Sequence, residues 1–279
     1  MNTFYNEDKK TVQSFGDEWV KMNQKSLTEV EKIKRFNDYF SIFPLDDINH
    51  NSIGFDMGSG SGRWASVVAP KVKRLVCIDA SSDAIQVAKE NLKELDNIKY
   101  LVASVDNTGL NLASFDFGYS LGVLHHVPNT QHAISSCADL LKKDAPFLLY
   151  LYYSFDNMPR WYKLIWRLSE LIRLLVSRMY PILKIIFSKA FAIVVYFPMA
   201  RFSYILDKVG LRVDNYYPLS YYRNKSLYTM MTDSRDRFGT PLERRFSQKE
   251  IKEMMELSGF RDIKFSKFKP YWVAIAYKK

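Results

Sequence analysis

The chain has 279 residues, 47% of them hydrophobic, with 40 basic and 30 acidic side chains. That is enough for one large domain, or a domain with a sizeable insert, and it excludes a chain too small to bury a core of its own. The two cysteines, Cys77 and Cys137, have no C-x-x-C spacing, which excludes a structural zinc site and points to reduced thiols in a cytosolic protein. The net charge of +10 is uneven: residues 1–150 carry 16 basic and 19 acidic side chains, which leaves 24 and 11 for the rest. A cationic surface in the second half suits nucleic acid, anionic lipid or a phosphorylated substrate, and charge alone does not separate these.

The first ten residues, Met1 to Lys10, are polar and mixed in charge, without the apolar stretch of a signal peptide. Leu27, Val30, Ile33, Phe36 and Phe40 recur at helical spacing and predict an amphipathic helix. From residue 53 the pattern alternates as a parallel α/β sheet does. Strands are expected at 53–57, 75–79, 98–103, 115–120 and 145–152, with helices at 63–69, 83–95 and 130–141 between them. In such a sheet, ligands bind beyond the carboxyl ends of the strands.

The first strand runs into Asp56-Met57-Gly58-Ser59-Gly60-Ser61-Gly62-Arg63, an acid followed by three alternate glycines, and the second ends in Asp79. Glycine suits a backbone that takes positive φ and lets a ligand approach, while the helix behind it offers unpaired N–H groups. The third strand runs into Ser104-Val105-Asp106, and the fourth into Ser120-Leu121-Gly122-Val123-Leu124-His125-His126. A dinucleotide site stays open as an alternative, because Gly60 to Ala65 also fits G-x-G-x-x-A.

Together these four strand ends resemble the class I S-adenosylmethionine-dependent methyltransferases. The resemblance implies a doubly wound, seven-stranded, mostly parallel Rossmann-like sheet, and S-adenosyl-L-methionine as cofactor. It places Asp56, Gly58, Ser59, Gly60 and Gly62 at the methionine end, Asp79 and Ala80 at the ribose, Val105 and Asp106 at the adenine, and Ser120 and Leu121 beside them. One turn departs from the family: Lys142-Lys143-Asp144-Ala145-Pro146 stands where K-P-G-G is common. The segment 1–50 becomes a helical lid in this reading, with Phe15 and Trp19 as acceptor contacts; ordinary core packing is the plainer alternative.

The core spans 51–153 and an insert 154–246, and 247–279 close the sheet. Trp161, Leu164, Ile165, Leu168, Ile172 and Leu175 form the apolar stripe of an amphipathic helix that Pro181 ends. Residues 182–206 are apolar nearly all round, but Lys184, Lys189, Arg201 and a break expected at Pro198 make a spanning segment a poor fit. This mainly helical insert either caps a pocket or meets a membrane surface through 157–206, where basic residues exceed acidic ones. Tyr221, Tyr222, Arg223 and Arg235 are candidate acceptor contacts, the first three in a tyrosine-rich run 215–225 and Arg235 in a polar loop at 232–241. Ser247 and Glu250 form a capping box for a last helix, with Gly259 behind it, and two antiparallel strands at 261–267 and 272–277 finish the sheet.

Methyl transfer is an in-line displacement that needs alignment and exclusion of water, and a hydroxyl acceptor also needs a base. His125 and His126 are the candidates, with a structural turn as the alternative. No metal is expected. Nucleic acid is disfavoured, because the Asn/Asp-Pro-Pro-aromatic segment of the nucleic-acid amino-methylating enzymes is missing after the fourth strand. The expected acceptor is a saccharide or secondary metabolite, O- or N-methylated in the cytoplasm. The alternatives are a quinone or lipid methylated at the inner membrane face, or a binding protein without turnover. The resemblance leaves an oligomer open.

Overall fold

A computed structural model describes residues 6–211, 213 and 217–279. Residues Met1 to Tyr5, and Asn215 and Tyr216 of the tyrosine-rich run, lie outside the described residues. The chain divides into two compact units, one of residues 1–24, 32–154 and 242–279, the other of 25–31 and 155–241.

The first unit is built on seven strands: β1 (Ile53–Met57), β2 (Arg74–Asp79), β3 (Ile98–Val102), β4 (Phe117–Leu121), β5 (Pro146–Tyr150), β6 (Phe260–Phe265) and β7 (Val273–Lys278). Their order is β3-β2-β1-β4-β5-β7-β6, parallel up to β5, with β7 antiparallel to both neighbours. Because the order reverses at β1 and β4, the sheet has a crevice beyond their carboxyl ends, where this architecture holds its ligands. The middle strands bury both faces: Phe55 and Phe147 lie in one apolar cluster, Leu75, Phe117 and Leu148 in the other.

The helices of this unit are α1 (Lys9–Lys21), α2 (Glu29–Phe40), the short α3 (Ala65–Val68), α4 (Ser82–Asn91), α5 (Thr130–Leu140) and, after the second unit, α10 (Gln248–Leu257). The capping box of α10 forms as expected, and Gly259 behind it takes φ +81°. Three sequence expectations change. The helical segment expected over 1–50 holds a helix, α1, that was not delimited, although Asp8 caps it by accepting from the Thr11 N–H at 2.8 Å and Val12, Phe15 and Trp19 keep helical spacing. In the α2 region Leu27, Phe36 and Phe40 are buried but Val30 and Ile33 are exposed, so the apolar stripe is shorter than its spacing implied. The helix expected over 63–69 shrinks to α3, since Pro70 enters a 3-10 turn over 69–71.

The second unit holds α6 (Arg160–Val176), α7 (Pro181–Phe191), α8 (Phe197–Lys208) and α9 (Leu227–Gly239), packed around Val176, Ala192, Tyr196, Ala200, Met230 and Phe238. Two corrections belong here. The break expected at Pro198 does not occur, because residues 192–196 form a π-helical turn that joins α7 to α8. A widened turn leaves room for a proline ring that an ideal helix would press against a preceding carbonyl. The whole run Pro181–Lys208 is therefore 28 residues long, with a mean hydropathy of 1.8 in its most apolar window, and by length and composition alone it would cross a bilayer. The polar loop expected at 232–241 is mostly the helix α9, capped by the Ser226 hydroxyl, which accepts from the Thr229 N–H at 3.2 Å.

Candidate active site

The loop after β1 is tied down by its own backbone: the Gly58 and Ser59 N–H groups both donate to the Ile78 carbonyl, at 2.7 and 3.0 Å. Gly58 and Gly60 have φ of +80° and +53°. A side chain at either would strain the backbone and meet a neighbour: a Cβ on Gly58 would lie 2.3 Å from Val123, and one on Gly60 2.9 Å from the Trp19 indole. The close approach that these glycines permit is thus used, in the chain alone, by the segment after β4 and by α1.

Three acids stand around this loop. Asp79, at the end of β2, accepts from the Gly60 N–H through one carboxylate oxygen and from the Ser81 N–H through the other, both at 2.9 Å. Each oxygen keeps a lone pair for a further donor. Burial raises the Asp79 pKa, and the two backbone N–H groups oppose that rise. Asp106 accepts from the Ser104 hydroxyl at 2.5 Å and from the Asn6 backbone N–H at 2.9 Å, with Val105 buried beside it. Asp56 is 1% exposed and sits opposite Tyr119 on β4. Burial lifts its carboxyl to about 8, against the Tyr119 hydroxyl and with help from the charge of Asp79.

The residues after β4 separate in role. Ser120 is fully buried and its hydroxyl donates to the Met57 carbonyl at 2.9 Å, clamping β4 to β1, while Leu121 is half-buried at the strand's end. His125 is fully buried, its ring 3.9 Å from Tyr152 and 3.9 Å from His126 between centroids. Burial holds its pKa well below the ordinary histidine value, with the charges of His126 and Arg245 acting in the same direction. His126 places Nδ1 2.7 Å from the Leu242 carbonyl. A carbonyl only accepts, so Nδ1 carries the hydrogen and in the neutral ring Nε2 has the lone pair. Phe15 lies 4.9 Å from the His126 ring, so both foreseen aromatics of the N-terminal segment stand at this site, Trp19 over the glycine loop and Phe15 beside the histidine.

Asn6 was missed by sequence reasoning; besides Asp106, it bonds Asn129 twice at 2.8 Å. No local signal marks it, since its partners lie more than 100 positions away except Asp106, at a separation of 100. The remaining candidates, Tyr221, Tyr222, Arg223 and Arg235, all belong to the second unit. Tyr221 and Tyr222 are half-buried in a 3-10 turn, and Arg223 pairs with Asp207 at 3.1 Å. Arg235 is fully buried, packed so closely under Gly239 that a Cβ there would lie 1.5 Å from its Nη1. It is an interior residue of its unit, not a surface contact.

Residues 55–149 match the family model described as a methyltransferase domain. The matched segment of the first unit thus resembles a methyltransferase domain, and it lies on the parallel strands β1 to β5 of the sheet. Among curated relatives, the uncharacterised methyltransferase YcgJ of Bacillus subtilis is 27% identical over 36% of this chain and 40% of its own length. The ubiquinone biosynthesis O-methyltransferase of Coxiella burnetii is 30% identical over 31% of this chain and 38% of its own. The chain thus spans about two-fifths of the curated relatives it matches. A methyltransferase candidate of known structure from Bacillus halodurans shares the fold with a TM-score of 0.51, at 15% identity over 82% of this chain and 70% of that one.

Proposed function

We propose that the protein transfers a methyl group from S-adenosyl-L-methionine to a small-molecule acceptor. The observation that carries this is the gathering of Asp56, the glycine turn, Asp79 and Asp106 at the carboxyl edge of three adjacent parallel strands, β1, β2 and β3. The residues fit the cofactor: Asp79 keeps acceptor capacity for two ribose hydroxyls, Asp106 with Val105 suits an adenine amine and ring, and Asp56 would answer a cationic amino group by giving up the proton that burial holds on it. When bound, the cofactor supplies a methyl group on an electron-poor sulfur, which leaves with the bonding electron pair as the acceptor bonds to carbon. The chain's part is to hold the acceptor in line and exclude water, which Phe15 and Trp19 on α1 favour.

For a hydroxyl acceptor, His126 takes the departing proton at Nε2. His125 supports it from inside, too deeply buried to gain a charge at little cost. A saccharide or secondary metabolite is the acceptor class that this polar, histidine-bearing site suits. A quinone or other lipid is the second reading, favoured by the exposed apolar helices of the second unit. Both are tested by incubating the protein with methyl-labelled S-adenosylmethionine and a cell extract of its source. Label in water-soluble small molecules supports the first reading and label in the organic phase the second. Cofactor binding without transfer would leave a binding protein in their place.

A further inference from the structure

The second unit has an apolar centre, yet it turns a second apolar surface outward. On α6 the residues Leu164, Ile165, Leu168, Leu171 and Leu175 fall on one stripe at helical spacing, and that stripe faces outward: Leu168 is 57% exposed and Leu175 67%. The continuous run of α7 and α8 adds Ile182, Leu183, Ile186, Val194 and Ile205, all exposed. Inside, the same helices bury cations. Arg173, 5% exposed, donates to the Thr240 and Pro241 carbonyls at 2.7 and 2.9 Å, and Lys184, 7% exposed, donates to the Gly239 carbonyl at 3.1 Å. In water, long cationic side chains stay outside and a leucine stripe is what a helix buries. A unit that buries cations beside its apolar centre and leaves a leucine stripe outside is organised for surroundings other than water.

The charges identify those surroundings. Among the described residues of 155–211 the exposed cations are Arg160, Arg167, Arg178, Lys189 and Lys208, and the exposed acids only Asp156 and Asp207, of which Asp207 is paired with Arg223. Glu170, the third acid, is partly buried between Arg173 and Arg237; burial raises its carboxyl, yet the Arg173 hydrogen bond and the Arg237 charge bring it below the usual carboxylate range. By the 100° step of a helix, Arg160 and Arg167 run along one border of the leucine stripe, where their heads reach the phosphate layer while their stems lie on apolar surface. Exposed Trp161, Tyr180 and Tyr204 are of the type that settles at a bilayer's polar boundary.

We infer that α6 and the outer face of α7–α8 dock this protein on an anionic phospholipid bilayer, lying in the headgroup and upper acyl region without crossing it. Crossing is disfavoured although the run 181–208 is long enough. Its other face, through Lys184, Ser188, Ala192, Tyr196 and Ala200, is buried in the packing of its own unit, and α6 presents a second apolar stripe beside a row of arginines. This inference does not rest on the chemistry at the sheet's edge.

The test is cosedimentation of the full chain with vesicles of phosphatidylcholine alone and with about 30 mol% phosphatidylglycerol added. The protein is expected to sediment with the anionic vesicles, less so as salt rises, and to wash off with alkaline carbonate. Leu164→Ser with Leu168→Ser, and separately Arg160→Glu with Arg167→Glu, should each weaken the partition about tenfold or more while the thermal midpoint holds, since all four side chains are exposed. Equal binding to both vesicle types would overturn the anionic assignment, and retention through carbonate would overturn docking without crossing. Absence of vesicle binding, or a dimer seen by light scattering that the Leu164→Ser, Leu168→Ser pair dissociates, would overturn the membrane and give this face to a second copy of the chain.

Discussion

The two units solve the same problem with opposite surfaces. Along β1, β4 and β5 the middle of the sheet is buried on both faces, and polar groups gather near the strand ends, at Asp56, Asp79 and Asp106. In the helical unit the interior holds Arg173, Lys184, Ser188, Ser203 and Arg235, and the leucines look outward. Apolar periodicity therefore reports where a face is, but not what covers it. In the first unit the cover is more protein; in the second the outer stripe of α6 is left exposed by the chain itself.

The largest expected effect sharpens the chemical side of this contrast. Replacing His126 by Asn keeps a donor for the Leu242 carbonyl and removes the Nε2 base, so kcat on a hydroxyl acceptor should fall about 10²- to 10⁴-fold with S-adenosylhomocysteine affinity unchanged. Calorimetric binding beside steady-state kinetics checks it, and an unaltered kcat would return His126 to a structural part. Next comes packing. Leu148→Ala in the sheet should cost about 2–5 kcal/mol, whereas Leu168→Ala on α6 should stay within about 0.5 kcal/mol in water. Urea unfolding of both variants measures this directly, and an equal loss would refute the outward stripe of α6.

A smaller effect concerns Asp79, whose replacement by Ala frees the Gly60 and Ser81 N–H groups and removes the ribose acceptors. S-adenosylhomocysteine should bind about 30- to 100-fold more weakly, a loss of about 2–3 kcal/mol, while vesicle binding is untouched. A further effect is the pH dependence of Asp56. Its carboxyl rises from 3.8 unfolded to about 8 folded, so the folded chain binds the proton more tightly and its contribution to stability is complete below 3.8 and lost as pH rises through about 8. The thermal midpoint should therefore drop across that window in the parent chain. Asp56→Asn should flatten this fall, and a parallel fall in the variant would assign the titration elsewhere.

Most of the sheet could be read from the chain, because short apolar runs that end in Asp56, Asp79 and Asp106 alternate with helical spacing, and the acids and glycines are local in sequence. The site's closure could not. Asn6, Thr11 and Leu242 carry no periodic signal, and their roles exist only once distant segments meet. For α6 the stripe was visible and its direction was not, since a helix wheel is the same whether its apolar side faces protein or lipid. Pro198 misled for a related reason: a proline predicts a break only if the turn before it stays regular, and here it widens.

The position of α1 has a consequence for how the chain reaches this state. Its anchors are Asp106, Asn129 and Leu242, and the bond from the Leu242 N–H to the Thr11 hydroxyl spans 231 positions. Closing loops that long costs entropy which few local contacts return, so pairs of this kind form after the sheet they rest on exists. A helix made ahead of the sheet is thus placed only after the sheet has formed, and until then the glycine turn has to fold without its cover.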